Sequence, residues 1–164
     1  MRRRELNEIA ERLRKNGIHN VYISEIIRYL DILSNYVDIT GVLVYGSIVY
    51  GKPRIDSDID IIIVSPDFDC KYTEKILLSR KIAPKRPARI AAVWMGEEEI
   101  EKAFRGFTGF LLDAIYFGLI VFDKKNILSN LRNRLQNALK SGKIERKLNM
   151  WRIPIEMGVE EIVL

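Results

Sequence analysis

The chain has 164 residues, the length of one ordinary domain closed around a single hydrophobic core, so a second independently folding unit is not expected. Apolar residues make up 48% and charged residues 30%, a balance that excludes a disordered chain. The single cysteine, Cys70, excludes an internal disulfide and a cysteine-rich zinc site, and no stretch reaches the roughly 18 to 20 uninterrupted apolar residues of a membrane span. The best span candidate, residues 106–122, is too short and contains Asp113. Met1-Arg2-Arg3-Arg4-Glu5 leads into a helical pattern with no apolar secretory segment, so the cytoplasm is the expected compartment and no membrane partner is expected.

In chain order, residues 5–15 read as a helix, with Leu6, Ile9, Ala10 and Leu13 on one stripe and Gly17 as the stop. A second helix spans 24–33, or starts as early as Asn20, and carries Ile26, Ile27, Leu30 and Leu33. These two helices either pack onto the rest of the chain or form a separate arm, a segment of residues 1–36 ahead of a core of residues 37–142. Residues 39–45 are β-branched and aromatic and read as a strand that ends at Gly46-Ser47. A polar loop with Pro53 leads to a second strand, 58–64, whose apolar end suggests cover on both faces. Residues 71–81 read as a helix with Tyr72, Ile76 and Leu77 toward the sheet, and Pro84 and Pro87 bracket a basic turn. A third strand at 88–95, a helix at 97–104 with an acidic first turn, a buried helix at 108–117, a fourth strand at 119–122 and a helix at 126–140 follow. Residues 143–164 form a tail without a clear pattern. Strands mixed with helices of this length indicate an α+β or α/β domain with a short mixed sheet packed against helices.

The net charge of +5 is unevenly placed. Residues 124–152 hold nine Lys or Arg against Glu145 alone, and residues 80–89 add five with no carboxylate. Such runs attract phosphate-rich partners through salt-sensitive electrostatics, and they also occur as the solvated surface of a basic protein.

Three features carry chemistry. Gly46 lets the backbone turn tightly against a ligand, and Ser47 and the amides that follow can donate to phosphate oxygens. Asp58 and Asp60, two apart on a strand, point to the same side while Ile59 and Ile61 point to the other. Two carboxylates so close repel each other, and a hard divalent cation, Mg²⁺ or Mn²⁺, relieves that repulsion. Lys52 and Arg54, in the loop between these elements, add positive charge.

Gly46-Ser47, ten intervening residues and then Asp58-Ile59-Asp60 resembles the signature of the DNA polymerase beta-like nucleotidyltransferase superfamily, in particular its small minimal members in prokaryotes. Ile48-Val49-Tyr50-Gly51 is similar to the family's short helix and second glycine. The resemblance implies a nucleotidyltransferase-like fold. Asp58 and Asp60 would be the catalytic, metal-holding pair, and Gly46 and Ser47 the phosphate-binding pair. It further implies a nucleoside triphosphate ligand, Mg²⁺ or Mn²⁺ as cofactor, and transfer of a nucleoside monophosphate to an acceptor with release of pyrophosphate. The acceptor class, whether small molecule, RNA or protein, stays open, as does self-association.

Many active members carry a third acid on a neighbouring strand. Here that stretch is residues 89–95, Arg-Ile-Ala-Ala-Val-Trp-Met, and Ala91 or Val93 stands where the acid is expected. Glu97, Glu98, Glu99 and Asp113 are the candidates to compensate. Three readings therefore remain: a nucleotidyltransferase, a weak or inactive nucleotide-binding subunit, and an RNA-binding protein that uses the basic region at 124–152. His19, the lone histidine, reads as a capping or exposed residue, Trp94 as core in preference to a base-stacking surface, and Trp151 as either an anchor for the tail or a self-association contact.

Overall fold

The apolar runs at the centre of the chain are strands covered on both sides. In the computed structural model, which describes residues 1–51, 53–54, 57–147 and 150–152, β1 (Gly41–Tyr45) and β2 (Ile59–Val64) form the middle of a four-stranded sheet. The sheet is completed by β3 (Ile90–Met95) beside β2 and β4 (Leu119–Asp123) beside β1, in the order β3-β2-β1-β4. β1 is antiparallel to both neighbours, and β2 and β3 are parallel, which makes the sheet mixed.

Alternation along each strand divides the interior into two layers. Val42, Val44, Ile59, Ile61 and Ile63 face α1 (Arg3–Lys15) and α2 (Asn20–Leu33), where Leu13, Ile26, Leu30 and Leu33 are fully buried. The two N-terminal helices are therefore one wall of the core. Leu43, Ile62 and Val64 face the other way, toward α4 (Glu97–Arg105), α5 (Gly109–Phe117) and α6 (Ile127–Lys140). His19 caps α2, its Nδ1 accepting from the Val21 amide at 3.4 Å. The Asp123 carboxylate caps α6, accepting from the Leu128 and Ser129 amides at 3.3 and 2.8 Å.

Two expectations need correction. Of the residues expected to turn α3 (Tyr72–Ile82) toward the sheet, Tyr72 is 77% and Leu77 64% exposed. Ile76 is half-buried as expected, and it shares the inward side with Lys75, Leu78 and Ile82, which leaves Tyr72 and Leu77 on the outer side. The stretch after Gly142 is also not featureless. β5 (Glu145–Lys147) and β6 (Met150–Arg152) form a hairpin in which Arg146 faces Trp151. Trp151 Nε1 donates to Asp113 Oδ1 of α5 at 3.1 Å, so this tryptophan anchors the tail onto the domain. Residues 153–164 lie outside the described residues. Trp94 is half-buried against the core: it stacks on Phe68 with ring centroids 5.1 Å apart, and its Nε1 donates to the Tyr29 hydroxyl at 2.7 Å.

Because α2 is part of the core wall, Leu30→Ala should destabilise the whole domain by about 2–5 kcal/mol. Thermal unfolding should remain a single transition, with Tm lowered by roughly 2–4 °C per kcal/mol. A second, separate transition for the helices would show instead that they form an independent arm.

Candidate functional site

The antiparallel pairing of β1 with β2 sets Tyr45 opposite Asp60, so the chain leaves β1 and turns at Gly46 directly beside that carboxylate. The fit allows no side chain. Gly46 has φ +76°, and a Cβ built on it would stand 2.1 Å from Asp60 Oδ2. The Gly46 carbonyl accepts from the Val49 and Tyr50 amides, both at 3.1 Å, which folds residues 47–50 into one hydrogen-bonded turn. The turn ends at Gly51, whose φ of +73° leaves the helical region, so the short helix implied by the resemblance is a single turn here. Among the described residues, the amides of Ser47 and Ile48 have no backbone acceptor. These are the unsatisfied donors that the first turn of a helix presents to an anion.

Asp58 immediately precedes β2 and is exposed, while Asp60 lies within the strand and is half-buried. Ile59 and Ile61 are fully buried in the opposite layer, which leaves both carboxylates on the side of the α4–α6 layer. Burial pushes the Asp60 carboxyl above its ordinary range, and the charge of Asp58 pushes it further. Burial and the Asp60 charge raise the Tyr45 hydroxyl in the same direction. Among the described residues neither carboxylate has an ion-pair partner. A pair of hard oxygen donors with unrelieved mutual repulsion fits a small divalent cation, which typically takes one or two protein carboxylates and completes its shell with phosphate oxygens and water. The described residues hold no group of three or more Asp, Glu, His or Cys side chains able to form a closed metal cage.

Strand register sets the two positions named for the third acid apart. β2 and β3 run in parallel with Asp60 opposite Ala91, and Val93 is opposite Ile62, one pleat further on. Ala91 thus flanks Asp60 on the same side of the sheet. The candidates to compensate lie elsewhere. Glu97, Glu98 and Glu99 start α4 beyond Met95, about 13 Å further along β3 than Ala91. There Glu97 accepts from Thr40 Oγ1 at 2.8 Å and from Lys125 Nζ at 3.0 Å. Asp69 caps α4 through the Glu98 and Glu99 amides, and Asp67 accepts from the Asp38 amide at 2.7 Å. Asp113 is bound to Arg146 and Trp151.

Of the loop cations, Lys52 lies outside the described residues. Arg54 is exposed; its amide donates to Ser57 Oγ at 2.7 Å, and its carbonyl accepts from the Tyr22 hydroxyl at 3.3 Å. Two tyrosines join the neighbourhood without having been singled out in the sequence, Tyr45 at the end of β1 and Tyr50 at the end of the turn. Burial raises the Tyr50 hydroxyl, the charge of Asp113 adds to that shift and Arg146 opposes it, with Asp60 a further raising influence. Their positions at either end of Gly46-Ser47 were the available signal.

Residues 28–103 match the family model described as polymerase beta, nucleotidyltransferase. No protein of curated function matches the chain. Among solved structures, a toxin-antitoxin with AMP-PNP is 16% identical, covering 73% of this chain and 88% of its own, with a TM-score of 0.47. A mutant of the toxin-antitoxin MntA-HpeT is 13% identical, covering 70% and 86%, with a TM-score of 0.46.

The raised Asp60 carboxyl makes a signed prediction. The folded state holds the Asp60 proton more tightly than the unfolded state, so this group's contribution to stability falls as pH rises from the ordinary carboxylate range through the raised value. At neutral pH, Asp60→Asn should therefore have a higher Tm than the wild type without metal, and the difference should vanish in acid below the ordinary carboxylate range. Equal melting temperatures across pH would contradict it. Gly46→Ala should cost about 1–3 kcal/mol through its left-handed φ and force the Asp60 carboxylate aside, measured by denaturant unfolding.

Proposed function

We propose that this chain, which carries the polymerase beta-like nucleotidyltransferase fold, binds a nucleoside triphosphate as its Mg²⁺ or Mn²⁺ complex at Gly46, Ser47, Asp58 and Asp60. The observation that carries this reading is the Asp60 carboxylate resting over Gly46, beside a second carboxylate and next to a turn with unengaged amides. Asp58 and Asp60 hold the cation, and the Ser47 hydroxyl and the amides of the turn donate to the phosphate chain. When bound, such a cation neutralises charge on the phosphates and helps position an attacking oxygen. Ile59 and Ile61, locked in the core, fix β2 so that the two carboxylates need no rearrangement to meet the ligand.

Transfer of a nucleoside monophosphate to an acceptor, with pyrophosphate leaving, is the activity this site would serve. The acceptor is a small molecule, an RNA or a partner protein. Ala91 favours a second form of the reading, in which the chain binds the nucleotide but transfers it weakly or not at all unless an acid is supplied from elsewhere. The basic C-terminal region supports an RNA-binding role less well. Lys124, Lys125, Arg134, Arg146 and Lys147 pair with Asp38, Glu97, Glu101, Asp113 and Glu145, and Arg132 is spent on the Ile115 and Gly118 carbonyls at 2.7 Å each.

Calorimetry with MgATP and the other three nucleotides should detect binding to the wild type and a loss of affinity of about tenfold or more in the double variant D58A/D60A. Absence of binding to either protein, or equal binding to both, would sink the proposal. Ala91→Asp, which sets a third carboxylate beside Asp60, should tighten Mn²⁺ binding while lowering the stability of the metal-free protein. If Mn²⁺ affinity in A91D equals that of the wild type, Ala91 does not occupy the third-ligand position.

A further inference from the structure

Four aromatic rings gather at the end of the turn that starts at Gly46. Tyr50 closes that turn and meets Phe117 of α5 edge-on, with centroids 5.8 Å apart at 81°. Phe117 meets Tyr116 at 4.6 Å and 89°, and Tyr116 meets Trp151 of β6 at 5.8 Å and 82°. The Arg146 guanidinium lies over the Phe117 ring at 4.4 Å and faces Trp151 at 5.6 Å. Asp113 holds this arrangement in place, accepting from Arg146 Nη2 at 3.2 Å and from Trp151 Nε1 at 3.1 Å. Large apolar side chains are normally withdrawn from water, yet Tyr50, Tyr116 and Phe117 are 48%, 40% and 38% exposed.

We propose that this platform holds the base of the nucleotide whose phosphates sit at the Gly46 turn. The proposal rests on the triphosphate reading of that turn and extends it to the other end of the ligand. Three observations carry it. The platform starts on the phosphate turn itself, because Tyr50 is only three residues after Ser47 and its amide closes the turn on the Gly46 carbonyl. Edge-to-face packing supports each ring by its neighbour, and the exposed Tyr50 and Tyr116 offer aromatic surface to a further planar group. The Arg146 guanidinium, held over the Phe117 ring, adds positive charge beside the rings. The Asp113 anchor fixes Arg146 and Trp151 in advance, so little ordering is required when the base arrives. Since stacking uses the face common to all bases, the platform should discriminate weakly among the four nucleotides.

The test compares MgATP with magnesium tripolyphosphate, which has the phosphates but no base. Tyr50→Ala and Trp151→Phe are checked by circular dichroism and thermal unfolding, and Phe117→Ala serves as a second variant if either fails to fold. The wild type should bind MgATP more tightly than tripolyphosphate. MgATP should change the intrinsic fluorescence in a way that W151F loses, and Y50A should weaken MgATP by about tenfold more than it weakens tripolyphosphate. Equal affinity for the two ligands, unmoved by Y50A, would overturn the platform and leave the phosphate site standing. Loss of both ligands, with D58A/D60A no different from the wild type, would overturn the site itself and the platform with it. Concentration-dependent self-association that Y50A abolishes, with MgATP binding unchanged, would assign the rings to a protein interface and also overturn the proposal.

Discussion

The contact between the Asp60 carboxylate and the bare Cα of Gly46 is the constraint on which the rest of the site depends. It exists because β1 and β2 pair with Tyr45 opposite Asp60, so the turn leaving one strand passes over an acid on the other. The arrangement is unfavourable in isolation: a half-buried carboxylate beside a second one destabilises the charged form, and the glycine surrenders conformational freedom to allow it. A fold that keeps such a feature gains from it elsewhere, and a bound cation is the simplest means by which the two carboxylates stop opposing each other.

The sheet makes that constraint rigid. Its middle strands are buried on both sides, with α1 and α2 covering Ile59, Ile61 and Ile63 and the later helices covering Leu43, Ile62 and Val64. A one-residue slip of β2 would drive Asp60 into the apolar α1–α2 layer, so the hydrophobic pattern that builds the core also orients the carboxylates. The same logic places Ala91. Parallel pairing sets it directly beside Asp60, on the same side of the sheet.

Much of this was readable along the chain because the relevant signals are local. The three-and-four spacing of Leu6, Ile9 and Leu13, the isoleucine run after Asp60, and the Gly-Ser turn each report on a few neighbouring residues. Register is not local. From the sequence, Ala91 and Val93 were equally placed for the missing acid, and pairing with β2 selects Ala91. Orientation of a weakly patterned helix is likewise decided by packing, which is why Tyr72 and Leu77 are exposed. The short β5–β6 hairpin has only three residues per strand, too few for a period to emerge, and it brings Arg146 and Trp151 to Asp113 from more than thirty positions away. The ion pairs of the basic run at 124–152 with Asp38, Glu97, Glu101 and Asp113 were not readable because these partners come from distant segments.

In the proposed reading, Asp58 and Asp60 grip a metal-nucleotide complex without a third acid, because the side chain beside Asp60 on β3 is the methyl group of Ala91. The most direct test of the grip is a crystal structure with Mn²⁺ and a non-hydrolysable ATP analogue, using the metal's anomalous signal. The account predicts a metal peak at about 2 Å from oxygens of both Asp58 and Asp60, with the phosphates against the Gly46-Ser47 turn. A nucleotide bound elsewhere, or a metal that touches neither carboxylate, would contradict it.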